Sequence, residues 1–406
     1  MRRFVVETLL DPLQQTDPRV DAVELRLDLH PDADVREVRR RHGKPVIATV
    51  RRVADGGRFA GSEEERRRLF ARAGAADWVD VEVDALPSVA PPGPHRITSF
   101  HDVRGMPEDL DAVFERCLLR GGDLVKIAVT PGSAVEAFRL LDLPAGAIGM
   151  GPFGTFTRVL APLTYCAREP LAPGMPTPED LFDVFRIRRH GPAPALYGVV
   201  GDPIEHSRSP HLFNAAFERD GVDALYLRFR VADLAAFWPV FLAHGGRGLS
   251  VTAPLKVQAA RLATAPSEEV RACGSANTLL ADGRAYSTDY RALLALIPGG
   301  LGGAVVMGAG GAARAALLAL RRRGYDPAVW CRRPEEAKAL GAAHAPSPDP
   351  FPLVINTTPV DPPDAEHVID LRYGQGIRPP KRGVGGLAFL EAQAAHQRRI
   401  FLGHEG

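Results

Sequence analysis

At 406 residues the chain is long enough for two or three domains with ample core, and its formal charge of +1 gives no electrostatic ground for expecting nucleic acid or an anionic membrane as partner. The four cysteines, Cys117, Cys166, Cys273 and Cys331, form no CxxC pair and stand without histidines at metal spacing, so reduced thiols in the cytoplasm and no bound metal are expected. The opening MRRFVVETLLDP is interrupted by Glu7 and too short for a signal peptide, and no run approaches the roughly 18 apolar residues of a membrane span.

In the first half, strand-like apolar runs recur at residues 4–10, 22–29, 45–50, 78–83, 96–100, 124–130, 145–150 and 159–166. Helical patterns lie between several of them, at 35–42, 62–74, 107–120 and 133–141, with a last one at 178–189. Alternation of this kind predicts a parallel sheet with crossover helices, and eight strands predict a compact (β/α)8 barrel. Two crossovers, 11–20 and 86–94, are too short for a full helix. In such a barrel the chemistry sits at the C-terminal ends of the strands, where Glu24, Arg26, Arg51, Arg52, Glu82, His101, Asp102 and Lys126 fall. Lys126 stands out because only five of the 50 basic Lys and Arg residues are lysine. It reads either as a strand-end charge reaching solvent or as a nucleophile, since lysine can lose its proton and attack a carbonyl where arginine cannot. His101, on the preceding strand, is a candidate proton shuttle beside it.

The motifs ELRLD (24–28), TVRRVADGG (49–57), SFHD (99–102), VKIAVTP (125–131) and GTFTR (154–158) occur in the order found in the type I 3-dehydroquinate dehydratases, and the first 185 residues resemble that family. The resemblance implies that Lys126 forms an imine with the C3 ketone of 3-dehydroquinate and that His101 moves the protons. It further implies that Glu24, Arg26, Arg51 and Arg158 hold substrate hydroxyls and carboxylate, and that Asp55, where the family has glutamate, supports the histidine. The family's closing loop Ser-Ala-Pro-Gly-Gln is here Leu171-Ala172-Pro173-Gly174-Met175, with two polar contacts replaced by apolar ones.

RRHGPAPALYG (188–198) breaks the helical pattern with prolines and glycine and reads as a linker. Beyond it, Ser209 before Pro210 fits an N-cap with proline at N1, GLSVTAPLK (248–256) ends a buried strand near the unusual Lys256, and GSANTLL and STDY bring Asn277 and Asp289. Jointly, Lys256 and Asp289 read as a proton-transfer pair. AVVMGAGGAARAALLAL (304–320) is a strand, a glycine turn and a helix, with Gly308, Gly310, Gly311 and Ala313 at the positions of a dinucleotide fingerprint. The next strand ends in Arg332-Arg333 rather than an acid, which favours the 2′-phosphate of NADP over the ribose hydroxyl of NAD.

With HSRSP, SVTAPLK, SANTL, STDY, GAGGAAR, INTTP, DLRY and LEAQAA, residues 196–400 resemble the shikimate dehydrogenases. The resemblance implies that Ser207 and Ser209 bind the shikimate carboxylate, that Thr252, Asn277, Tyr373 and Gln393 contact its ring or hydroxyls, and that Lys256 and Asp289 are the catalytic couple. NADP(H) would lie against Gly308, Ala309, Gly310, Gly311, Ala312, Arg332, Arg333, Thr357, Leu371 and Gly386. Ser250 replaces the usual asparagine, and Ala388-Phe389 a Gly-Met pair.

The expected organisation is a dehydratase barrel (1–189), a linker (190–195), a substrate-binding lobe (196–298), a Rossmann lobe (299–386) and a returning C-terminal helix (387–406). The expected function is conversion of 3-dehydroquinate to 3-dehydroshikimate and its reduction by NADPH to shikimate, in a cytoplasmic protein for which the resemblance allows a homodimer. Two further readings stay open: one active module, acting on shikimate or quinate, beside an inert barrel, and a metabolite sensor that binds without turnover.

Overall fold

The computed structural model describes residues 3–191, 193–374 and 376–404. The chain divides into two compact units between Pro194 and Ala195.

The first unit is built on eight strands: β1 (Phe4–Thr8), β2 (Ala22–Arg26), β3 (Val46–Thr49), β4 (Trp78–Glu82), β5 (His95–Asp102), β6 (Leu124–Val129), β7 (Gly146–Gly149) and β8 (Leu163–Cys166). All recorded pairings are parallel, in the order β7-β6-β5-β4-β3-β2-β1-β8, and β7 and β8 approach each other at the seam, so the sheet is a nearly closed barrel. The strands are buried along most of their length, as expected of a parallel sheet covered on both faces. Outside it lie α1 (Val35–His42), α2 (Glu63–Arg72), α3 (Leu110–Leu119), α4 (Ala134–Phe138) and α5 (Gly151–Leu160). Local chemistry fixes their ends. Asp34 caps α1 through the amide of Arg36, and Ser62 with Glu65 forms a capping box on α2.

The crossover at 11–20 has no helix, and that at 86–94 has only a 3-10 turn. Two expectations are corrected. The run 159–166 is not one strand: Val159 and Leu160 end α5, and β8 starts at Leu163. The pattern at 178–189 gives a short helix with a wide turn over Asp180–Val184, and the chain then leaves through Arg186 at φ 50°. Helix α5 was not anticipated. It lies close on β7 because Gly149 and Gly154 face each other, where a Cβ on Gly149 would come within 2.6 Å of the Gly154 Cα.

The second unit opens with β9 (Ala195–Gly201), α6 (Ser209–Arg219), β10 (Ala224–Arg230), α7 (Leu234–Ala243), β11 (Gly246–Val251), α8 (Lys256–Leu262), β12 (Ala265–Pro266), α9 (Glu268–Cys273), β13 (Thr278–Leu280), β14 (Arg284–Tyr286) and α10 (Thr288–Leu296). Its first sheet is mixed, in the order β10-β9-β11-β13-β14-β12. The second is parallel, in the order β16-β15-β17-β18-β19, from β15 (Ala304–Met307), β16 (Ala328–Trp330), β17 (Leu353–Asn356), β18 (His367–Asp370) and β19 (Gly383–Val384). Helices α11 (Gly311–Arg322) and α12 (Pro334–Ala339) belong to it, and α13 (Gly386–Phe401) returns to pack on α10, α6 and β11. Strand β15 lies between β16 and β17, so the sheet's topological switch falls at the β15–α11 turn.

Ala195 belongs to β9, paired with Ala224, and not to the linker, whose Pro192 lies outside the described residues. Glu405 and Gly406, at the end of the expected C-terminal segment, lie outside them too. Ser209 is the first residue of α6 rather than its cap, a position taken by Arg208. Among the described residues, no helix is long and apolar enough to cross a membrane.

Candidate active sites

Strand register assembles the first site. Glu82, Ser99 and Lys126 stand level across β4, β5 and β6. Because side chains alternate along a strand, Asp80 with Glu82, and Ser99 with His101, share a face. The ends of these strands surround a cavity of about 340 Å³ that includes Glu24, Arg26, Arg51, Asp55, His101, Lys126 and Arg158. The residues assigned to substrate or chemistry by the resemblance therefore line one space, whereas Arg52, Glu82 and Asp102, also at the strand ends, do not line it.

Lys126 is buried, with its Nζ 2.9 Å from Asp80 Oδ2 and 3.8 Å from the centroid of the Tyr165 ring. It is a paired cation under the mouth of the barrel, not a charge reaching for solvent. Asp80 also accepts from Ser99 Oγ at 2.6 Å and faces Arg51 Nη2 at 2.8 Å. Burial raises the Asp80 carboxyl, but Arg51, Lys126 and His101 together outweigh it and hold the group well below the usual carboxylate range. Arg51 continues the network to Glu82 Oε1 at 2.6 Å, and the fully buried Arg66 grips the other oxygen of Glu82.

His101 ends this chain of charges. Its Nδ1 lies 3.3 Å from Arg51 Nη1. Burial, then Arg51 and Lys126, push its pKa well below the ordinary 6.5, so the imidazole is neutral. Asp55 does not support it as expected. One methylene shorter than glutamate and held in a 3-10 turn, Asp55 is drawn to Arg52 Nε at 2.6 Å. Glu24 accepts from Thr8 and Thr49 at 2.7 and 2.8 Å, and Arg26 is clamped in two hydrogen bonds by Asp28.

Arg158 differs from the other arginines of the site. Helix α5 carries it into the cavity, where it is 2% exposed and donates to the Gly149 carbonyl at 3.2 Å. No carboxylate among the described residues pairs with it, and burial alone pulls its pKa down to about 10. A buried guanidinium without a counterion is a receptor for an anionic group. Leu171, Ala172, Pro173 and Met175 line the cavity from the loop after β8, and the Pro173 carbonyl accepts from the Gly151 amide at the start of α5.

A second cavity, of about 500 Å³, lies within the second unit. Ser207, Ser209, Thr252, Lys256, Asn277, Asp289, Tyr373 and Gln393 line it together with Gly310, Gly311, Ala312, Thr357 and Leu371. Lys256, at the start of α8, is ion-paired with Asp289 in the first turn of α10. Asn277 Nδ2 lies 2.9 Å from Asp289 Oδ1 and 3.2 Å from Gln393 Oε1, which ties the couple to α13. Ser207 donates to Ser209 at 3.3 Å. Burial raises the Tyr373 phenol, which is hydrogen-bonded to Ser207.

The β15–α11 turn fits a dinucleotide. Gly308 has φ +106°, and a Cβ there would meet the Thr357 hydroxyl at 2.5 Å. Gly310 caps α11 without a side-chain bond and has nothing within 4 Å of where its Cβ would be, which leaves amides and room for a pyrophosphate. Arg332 is exposed beyond β16 and has no ion pair among the described residues, whereas Arg333 pairs with Glu336. Ala309 stands in the turn itself. Gly386 begins α13 against the backbone of Arg372, and it does not line the cavity.

Sequence reasoning missed Asp80, Arg66, Tyr165, Tyr226 and Gln397. Asp80 was detectable as an acid two residues before Glu82, on the same face of a buried strand. Tyr226 and Gln397 meet through Ser250, at 2.5 and 2.8 Å, and Gln397 goes on to the Asn277 carbonyl at 2.9 Å. Nothing in local sequence announces that network, since it joins four separate segments, at Tyr226, Ser250, Asn277 and Gln397.

The two sites define a class: an α/β protein that joins a lysine-centred parallel barrel to a two-lobed module of dinucleotide-binding type. Residues 5–192 match the family model for type I 3-dehydroquinase and residues 199–279 that for the shikimate dehydrogenase substrate binding domain. A 3-dehydroquinate dehydratase of Methanothrix thermoacetophila is 38% identical over 41% of this chain and 81% of its own length. A bifunctional 3-dehydroquinate dehydratase/shikimate dehydrogenase, chloroplastic, of Arabidopsis thaliana is 30% identical over 80% of this chain, which spans 62% of that protein's length. An NADP(+) shikimate dehydrogenase of Anaeromyxobacter sp. (strain K) is 46% identical over 36% of this chain and 56% of its own length. The chain belongs to the type I 3-dehydroquinases through its first unit, and residues 199–279 of its second unit are similar to the shikimate dehydrogenase substrate binding domain.

Proposed function

We propose that this chain is a bifunctional enzyme that dehydrates 3-dehydroquinate to 3-dehydroshikimate in its barrel and reduces 3-dehydroshikimate to shikimate with NADPH in its second unit. The observation that carries the proposal is that one chain holds two cavities, each centred on a buried or half-buried lysine beside a proton-transfer partner.

In the barrel, the substrate carboxylate pairs with Arg158, and the ketone lies over Lys126. The lysine sheds a proton to the neutral His101 and attacks the C3 carbonyl; His101 then returns that proton to the carbinolamine hydroxyl, whose departure as water leaves an iminium and a neutral imidazole. The iminium draws electrons from C2, so His101 can take the C2 proton and return it to the departing C1 hydroxyl. Hydrolysis then frees Lys126. Overall, one substrate gives one 3-dehydroshikimate and one water. Asp80 and Arg51 hold lysine and histidine in register throughout.

In the second unit, Ser207, Ser209 and Tyr373 receive the carboxylate, while Thr252, Asn277 and Gln393 hold the ring hydroxyls. NADPH, when bound along the α11 turn with Arg332 on its 2′-phosphate, supplies the hydride. The Lys256 ammonium donates the proton to the carbonyl oxygen, Asp289, oriented by Asn277, keeps that ammonium aimed, and a proton from solvent restores it. The domain assignment that follows is a dehydratase barrel to residue 189, a substrate lobe over 195–298, an NADP lobe over 299–386 and the α13 segment closing onto the substrate lobe.

Borohydride reduction in the presence of 3-dehydroquinate tests the barrel directly. Wild type should gain the mass of a reduced adduct and lose dehydratase activity, whereas Lys126→Ala should gain none. An unlabelled wild type would contradict a Schiff-base mechanism.

A further inference from the structure

Tyr165 is the third residue of β8 and points into the barrel. Its ring packs in the interior layer with Val6, Ile47, Ile97 and Leu163, and the lid residue Met175 rests against the same cluster. The ring face also carries the Lys126 ammonium, 3.8 Å from its centroid. A phenylalanine would do all of this equally well.

The hydroxyl is what needs explaining. Tyr165 is 2% exposed, and its oxygen has no hydrogen-bond partner among the described residues. A buried tyrosine hydroxyl usually finds one, because a donor withdrawn from water and left unpaired costs stability. The oxygen is also not in a purely apolar setting. Burial raises its pKa well above 10, Glu24 and Asp80 raise it further, and Arg51 opposes them, so the group is a fixed O–H donor among the charges of the cavity floor. The lid near it, Leu171 and Met175, offers no hydrogen bond in return.

We infer that Tyr165 is a substrate-positioning residue of the barrel: its ring seats Lys126, and its hydroxyl, left open in the protein, hydrogen-bonds an oxygen of the substrate held over that lysine. The inference rests on the barrel acting on 3-dehydroquinate, a polyhydroxylated ring carboxylate with several oxygens to offer. It supplies from the barrel wall a polar contact that the apolar lid cannot make.

Steady-state dehydration by the full chain, wild type against Tyr165→Phe, tests it, with melting temperatures of the substrate-free proteins measured alongside. The variant should raise KM about fivefold to tenfold, the loss of one hydrogen bond. It should leave kcat within about twofold, because Lys126 and His101 are untouched. The melting point without substrate should stay level or rise, because an unsatisfied buried hydroxyl has gone. A KM unchanged within about twofold would overturn the inference, and so would a raised KM accompanied by a lower melting point, which marks a packing role. No turnover by wild type would instead sink the dehydratase reading and take this inference with it.

Discussion

His101 is surrounded by groups that oppose a positive charge on it: the low-dielectric wall, Arg51 and Lys126. Its folded pKa is therefore depressed, and the sign of the pH effect follows. In the unfolded chain the imidazole binds a proton from about pH 6.5 downward, while the folded chain refuses it. Stability contributed by the neutral imidazole is thus complete above 6.5 and is lost as pH falls below it. The same depression keeps the base active in mild acid. The acid limb of kcat/KM for dehydration should lie well below pH 6.5, and a limb at 6.5 or above would contradict the assignment. His101→Gln should abolish that limb together with most of the rate, by about 100-fold or more for a general acid–base group. Arg158 makes a second prediction at this scale. Arg158→Met should raise KM for dehydroquinate about tenfold to 100-fold, as expected for charge-assisted hydrogen bonds. It should leave the melting point unchanged or higher, since it removes a buried charge that lacks a counterion. The residues whose identity alone signals chemistry, Lys126, His101, Lys256 and Asp289, were readable in the sequence. Of the partners that tune them, Asp80 offered only its place on the face of Glu82, while Tyr165 and Arg66 look like ordinary members of a buried strand and a helix until folding brings Tyr165 beside Lys126 and Arg66 onto Glu82.

Elements were legible where one periodicity ran from cap to cap. The helix over 35–42 appears as read, with Asp34 and Gly43 at its ends. Segments in which apolar residues ran across a boundary were not. The stretch from Val159 to Cys166 is apolar on both sides of the boundary, since Val159 and Ala161 at the end of α5 and all of β8 are buried, so its composition could not mark where helix gives way to strand. The β15–α11 turn allows a sharper test, since its neighbouring glycines are conspicuous for different reasons. Gly310→Ala places a methyl in open space, so the melting point should hold, but the methyl intrudes where the pyrophosphate would lie and should raise KM for NADPH about tenfold. Gly311→Ala drives a Cβ to 2.6 Å from Lys256 Cβ and 3.0 Å from Ser275 Oγ. It should displace the lysine and lower kcat, with a loss of stability of about 1–3 kcal/mol typical of overpacking. Equal effects of the two substitutions on stability would count against this reading of the turn.

Across the whole molecule, each unit has its own buried core and its own cavity. The barrel core gathers residues such as Leu25, Val81 and Phe70, and the second unit gathers Leu293, Val306 and Ile355 around its parallel sheet. The two reactions should therefore be separable by single substitutions. Lys126→Ala should abolish dehydration and leave reduction of 3-dehydroshikimate intact, while Asp289→Asn should slow reduction about 100-fold or more and leave dehydration intact. This division was visible in the sequence because proline and glycine interrupt the pattern near residue 190 and the hydrophobic organisation begins afresh beyond it. The claim that one chain performs both steps is tested most directly by adding 3-dehydroquinate and NADPH to the purified protein and following NADPH. NADPH should fall after a lag in which 3-dehydroshikimate accumulates, and Lys126→Ala should consume it only when 3-dehydroshikimate is added directly. Wild type that leaves NADPH untouched with 3-dehydroquinate, while consuming it with 3-dehydroshikimate, would contradict the account.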